Sequence, residues 1–110
     1  MPSSTPKILA GGDGTTTLGT SEADLLVPGS GKYWTGIELV LYNSHSGSVT
    51  VTLYGRKSGA SSSSVLDIVQ VAPGARVVYR IPCVGDGDKI RAKDTQGSVV
   101  FPTAFGAETA

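Results

Sequence analysis

Charge is scarce in this chain. Asp, Glu, Lys and Arg make up 16% of its 110 residues, against roughly 25% in ordinary soluble domains. Nine basic and nine acidic side chains cancel. A neutral surface has no bulk field for polyphosphate, so general DNA or RNA binding is not expected. Cysteine is almost absent: Cys83 stands alone, which excludes a disulfide within the chain. It lies in the apolar stretch Ile81-Pro82-Cys83-Val84, where a small buried hydrophobe is the expected role. No apolar run approaches the roughly 20 residues of a membrane helix. The first residues lack a charged segment followed by roughly 7–15 apolar ones, the pattern of a secretory signal. Synthesis in a reducing cytosol is therefore expected, with no membrane partner. Periodic runs of Glu, Lys and Ala are missing too, which argues against a helical domain.

What is present alternates. Ile37, Leu39 and Leu41 are interleaved with Glu38, Val40 and Tyr42. Val49, Val51 and Leu53 are interleaved with Thr50, Thr52 and Tyr54. Val65–Val71 is rich in β-branched residues, and Ala75–Ile81, Lys89–Lys93 and Val99–Phe101 continue the rhythm. Period two places one face of a strand on a core and the other toward water. The breaks between runs carry turn chemistry. Asn43–Gly47 is suited to close a hairpin between the 33–42 and 48–56 runs. Pro73-Gly74 fits the centre of a type II turn, and Gly85–Asp88 and Asp94–Gly97 are further turns. The sequence thus predicts an all-β protein: an antiparallel β-sandwich, jelly-roll or Ig-like, of about seven to eight strands.

The first 23 residues look different. They are rich in Gly, Ser and Thr, with Met1, Ile8, Leu9 and Leu18 as their large apolar groups. They are read as an extended N-terminal arm, with short strands at Lys7–Leu9 and Thr15–Leu18, ahead of a sandwich domain spanning 24–110. The arm either completes the chain's own sheet or packs on a partner; since that domain already supplies about seven strands, strand addition to a partner is the expectation.

Catalytic constellations fail their tests. Gly29-Ser30-Gly31-Lys32 suggests a phosphate loop, but the required first glycine falls on Leu26 and the hydroxyl position on Tyr33. From Asp86, the twelfth position of a calcium loop, where a bidentate Glu belongs, is Gly97. His45 is the one histidine, in a Ser/Gly turn, and one His with one Cys does not build a zinc site. The expectation is a protein that is not an enzyme, without metal or cofactor. Aromatic and arm residues are the candidates for contact. Tyr33 and Trp34 point to opposite faces of a strand, leaving one exposed as an interface anchor or sugar platform. Tyr42 and Tyr54 are expected to pair across strands. The candidate interface is Ile8, Leu9, Leu18, Tyr33, Trp34 and Phe105.

The succession of motifs carries a resemblance. Val27-Pro28-Gly29 leads to Leu41-Tyr42-Asn43, then to Gly47–Tyr54, Val71-Ala72-Pro73-Gly74-Ala75, Ile81-Pro82-Cys83-Val84, Gly87–Ala92 and Phe105–Glu108. Over about residues 24–108 this order resembles small β-sandwich virion structural proteins of tailed bacteriophages, described as decoration-like or tail- and neck-associated. The resemblance implies a non-enzymatic capsid decoration (cement) protein in the virion, present in many copies. Its implied partners are other virion proteins, whether the major capsid protein or neck and tail components, and further copies of itself as a homo-oligomer. A carbohydrate-binding host-attachment module is the alternative, and an exposed Trp34 would favour it.

Overall fold

The alternating runs become strands. A computed structural model describes residues 4–110, which form β1 (Ser4–Gly11), β2 (Ala23–Leu26), β3 (Tyr33–Asn43), β4 (Val49–Arg56), β5 (Ser64–Val71), β6 (Arg76–Val84), β7 (Lys89–Asp94) and β8 (Val100–Thr109). No helix occurs among the described residues. One sheet has the order β1-β8-β3-β6 and the other β2-β7-β4-β5. Every pairing is antiparallel. The chain changes sheet at every connection except β4–β5, and this strand order is that of a jelly roll.

The core lies between the sheets and follows the alternation. Ile37, Leu39 and Leu41 of β3, Val49, Val51 and Leu53 of β4, and Leu26, Val71, Val100 and Ala104 are buried. The phase breaks once in β3. Thr35 faces Ala107 and Glu38 faces Phe105, so Gly36 and Ile37 together oppose Gly106. This is a β-bulge, and Gly36 holds the left-handed φ of 58° that it needs. The bulge lets Trp34 and Ile37, three residues apart, both turn inward. It also explains Cys83, which the sequence placed in the core. Cys83 pairs with Thr35 in the shifted segment and is exposed, while Ile81 and Val84 on either side are buried.

Two further expectations change. The 33–42 and 48–56 runs are not a hairpin, because β3 and β4 belong to different sheets. Tyr42 accordingly sits beside Arg76 and Phe101, and Tyr54 beside Arg91 and Val65. Alternation reports which face is buried, not which sheet a strand joins. The N-terminal segment, in its described part, is built into the sandwich. β1 pairs along β8 from Ser4↔Thr109 to Gly11↔Thr103. Leu18 is not in a strand, yet it is buried. Its N–H donates to Val100 O (3.0 Å), and its carbonyl accepts from Ser98 N (2.9 Å). Strand addition therefore occurs within the chain, where main-chain hydrogen bonds compensate for a segment poor in apolar side chains. The Pro73-Gly74 turn is as read: Ala75 N donates to Ala72 O across it, with Gly74 at φ 67°.

Candidate interaction surface

Antiparallel sheets of a sandwich usually turn a polar face to water. The outward face of β1-β8-β3-β6 instead mixes large apolar side chains with polar ones. Its first row runs Ile8, Phe105, Glu38, Arg80 across the four strands. The next rows are Thr103, Val40, Val78 and then Phe101, Tyr42, Arg76. Ile8, Phe105, Val78 and Tyr42 are each exposed by between 42% and 49%. Beside Ile8 and Phe105 lies a shallow depression of about 580 Å³, floored by Gly36 and Gly106 and flanked by Pro6 and Thr35. Two of the charges on this face pair with each other: Arg80 Nη2 lies 3.2 Å from Glu38 Oε2, while Arg76 adds a positive charge in the third row. An exposed pair of this kind contributes little to stability, so it offsets charge beside Ile8 and Phe105 without holding the fold together.

The six sequence candidates divide in three ways. Ile8 and Phe105 meet as direct cross-strand partners on this face. Leu18 belongs to the core, and Leu9 packs against it. Tyr33 is exposed, but at the far end of β3, opposite Thr109. Trp34 is buried, and its Nε1–H donates to Glu108 Oε1 at 3.0 Å. Glu108 Oε2 in turn accepts from Lys7 Nζ at 3.2 Å. This chain of contacts ties β3, β8 and β1 together. It also holds the Glu108 carboxyl below the usual glutamate range, through the Trp34 N–H first and the Lys7 ammonium second. No indole face is left open for a sugar at Trp34.

The acidic residues met among glycines serve turns. Asp13 accepts from Thr16 N (2.9 Å), Thr15 N (3.0 Å) and Thr16 Oγ1 (2.7 Å). Those donors, the Thr16 amide foremost, keep its carboxyl far below the ordinary range. Asp88 Oδ1 accepts from Ser58 N at 2.8 Å. Among the described residues, no three His, Cys, Asp or Glu side chains gather as metal ligands would.

Sequence reading missed an ionic cluster on the other sheet. Glu22 Oε2 accepts from Arg91 Nη1 (2.6 Å) and Ser63 Oγ (2.7 Å), with Arg56 Nη2 at 3.5 Å. Asp24 Oδ1 lies 2.8 Å from Arg91 Nε, without hydrogen-bond alignment, and its Oδ2 lies 3.5 Å from Lys89 Nζ. The cluster straps the short β2 and the Ser-rich loop onto β7 and β4. Its members lie up to 69 residues apart, and no local spacing announces it.

No protein-family model matches the chain, and no curated protein matches it. Among solved structures, the chain is similar to one reported as "Bacillus endospore appendages form a novel family of disulfide-linked pili". The identity is 14% and the TM-score 0.46, over 99% of this chain and 84% of that one.

Proposed function

We propose that this protein is a non-enzymatic structural component of a tailed-bacteriophage particle, a capsid decoration protein that binds the particle surface in many copies. The order of turn and strand motifs supports the phage assignment. The observation that carries a docking role is the exposed apolar patch of Ile8 and Phe105 on the outward face, since exposed apolar surface marks interaction sites. A flat apolar patch suits a capsid surface better than a polar ligand. The host-attachment alternative rested on an exposed Trp34, and the buried indole leaves that reading without its platform.

Purified particles should contain the chain by mass spectrometry, and a particle reconstruction should place it on the capsid with the β1-β8-β3-β6 sheet inward. Phe105→Asp should reduce rebinding to stripped capsids at least tenfold while the melting temperature stays within a few degrees. Absence of the chain from particles would end the proposal. Rebinding by Phe105→Asp at wild-type affinity would remove this face from it.

A further inference from the structure

The two sheets leave four edge strands among the described residues: β1 and β6 on one sheet, β2 and β5 on the other. An edge strand presents unpaired N–H and C=O groups, and natural proteins blunt such edges with Pro, Lys, other charges or brevity. Three of these edges are blunted. β1 carries Pro6 and Lys7, β6 carries Arg76, Arg80 and Pro82, and β2 has four residues. β5 has eight residues, Ser-Val-Leu-Asp-Ile-Val-Gln-Val, with no Pro and no basic side chain. Val65, Leu66 and Ile68 are exposed by 57%, 47% and 63%, and Ile68 is the most exposed large hydrophobe among the described residues.

We infer that β5 is a homodimerisation edge, pairing antiparallel with β5 of a second copy about a two-fold axis. A copy is the occupant because of how the strand complements itself. Its one charge is Asp67, at the bulge where Leu53↔Asp67 gives way to Tyr54↔Val65. A two-fold axis at Val69 sets Ile68 against the second copy's Gln70 and Asp67 against its Val71. The two carboxylates then stand four residues apart along the strands, roughly 13 Å, rather than facing each other. The chain is neutral overall, so two copies approach without net repulsion. Pairing of the other edges meets a proline, like-charged arginines or a four-residue strand. The isologous contact closes on itself, covers Asp67–Val71 of both β5 edges and joins two four-stranded sheets into one of eight. Asp67 Oδ1 accepts the Ile68 N–H at 2.8 Å, and that exposed local bond exchanges for an inter-strand one. The inference stands independently of where the protein sits in a particle.

Light scattering coupled to size exclusion, in reductant so that Cys83 cannot cross-link, tests it. The wild-type chain should run at twice its 11.2 kDa mass at micromolar concentration. Ile68→Lys should run at the monomer mass, with an unchanged β circular-dichroism spectrum. Gln70→Lys, which stands opposite Ile68 of the second copy, is the second variant should Ile68→Lys fail to fold, with the same expectation. The Gln70 amide should exchange hydrogen more slowly as wild-type concentration rises. A monomeric wild type would overturn the inference. So would a dimer that persists in both lysine variants, or a Gln70 amide whose exchange ignores concentration.

Discussion

Asn43 is fully buried at the end of β3, a place where an unpaired amide would be costly. Its Nδ2 donates to Gly47 O (2.9 Å) and Val71 O (3.0 Å), with Ala72 O at 3.3 Å, and its Oδ1 accepts from His45 N (2.9 Å). The backbone is engaged as well: Asn43 N donates to Ala75 O, and Asn43 O accepts from Gly74 N. One side chain thus fixes the β3–β4 crossing and the β5–β6 turn. Asn43→Ala strands buried carbonyls and should cost about 2–4 kcal/mol in urea unfolding. Asn43→Asp should cost at least as much, because a carboxylate cannot donate to those oxygens. A loss below about 1 kcal/mol would show that water replaces the amide. Glu108 gives a pH-dependent counterpart. Its native carboxyl is held below the ordinary glutamate value of 4.5. Its contribution is therefore complete above the unfolded-state value and disappears as pH falls through the native one. Glu108→Gln keeps an acceptor for Trp34 but cannot titrate. Its melting temperature should fall less steeply than that of the wild type below about pH 4.5. Parallel pH profiles would refute the assignment.

At the scale of the element, β1 separates what alternation reveals from what it hides. The strands from 33 onward were legible, because Leu39, Val51 and Ala92 sit on regular period-two runs that sheets bury on one side. Their partners were not. Ile37 and Val51 carry the same signal although they line opposite walls of the core. The phase break at Gly36 is invisible to a pattern that counts by twos, and it exposed Cys83. β1 was legible in part, as the short strand at Lys7–Leu9, but its place was hidden for another reason: its contribution is main-chain pairing along β8, which leaves no mark on side-chain polarity. At the candidate face, Ile8 and Phe105 were each nameable as apolar outliers, but their juxtaposition spans 97 positions of sequence and depends on the whole topology. Deleting residues 2–11 should bare the β8 edge and remove Leu9 and Ala10, which pack against the core. A fall of more than about 10 °C in melting temperature is expected, since each kcal/mol moves a domain of this size by about 4–8 °C. Gly11→Ala should reproduce part of that loss. Gly11 has φ 66°, and an added Cβ would fall 1.9 Å from Pro102 O, into backbone that has no room to yield. A deletion that melts like the wild type would free β1 for a role outside the fold.

For the molecule as a whole, the topology brings the ends of the chain together. Ser4 pairs with Thr109, within a body of 48 × 30 × 20 Å. Apart from the local β4–β5 pairing, strands pair across long stretches of sequence, and such folds form slowly because loop closure precedes the contacts that reward it. A circular permutant separates this cost from stability. Joining Ala110 to Met1 and opening the exposed turn between Gly29 and Ser30 gives the strand order β3 to β8, then β1 and β2. The β3–β8, β3–β6, β4–β5 and β4–β7 pairings keep their sequence separations. Only β1–β8 and β2–β7 change, and both become more local. The permutant should fold several-fold faster by stopped-flow fluorescence, on the order of what contact-order trends allow. Its melting temperature should stay within a few degrees of the wild type, because the cut falls outside both sheets. An unchanged folding rate would place those two pairings after the transition state. In that case the face carrying Ile8 and Phe105 would be completed only once the rest of the sandwich had formed.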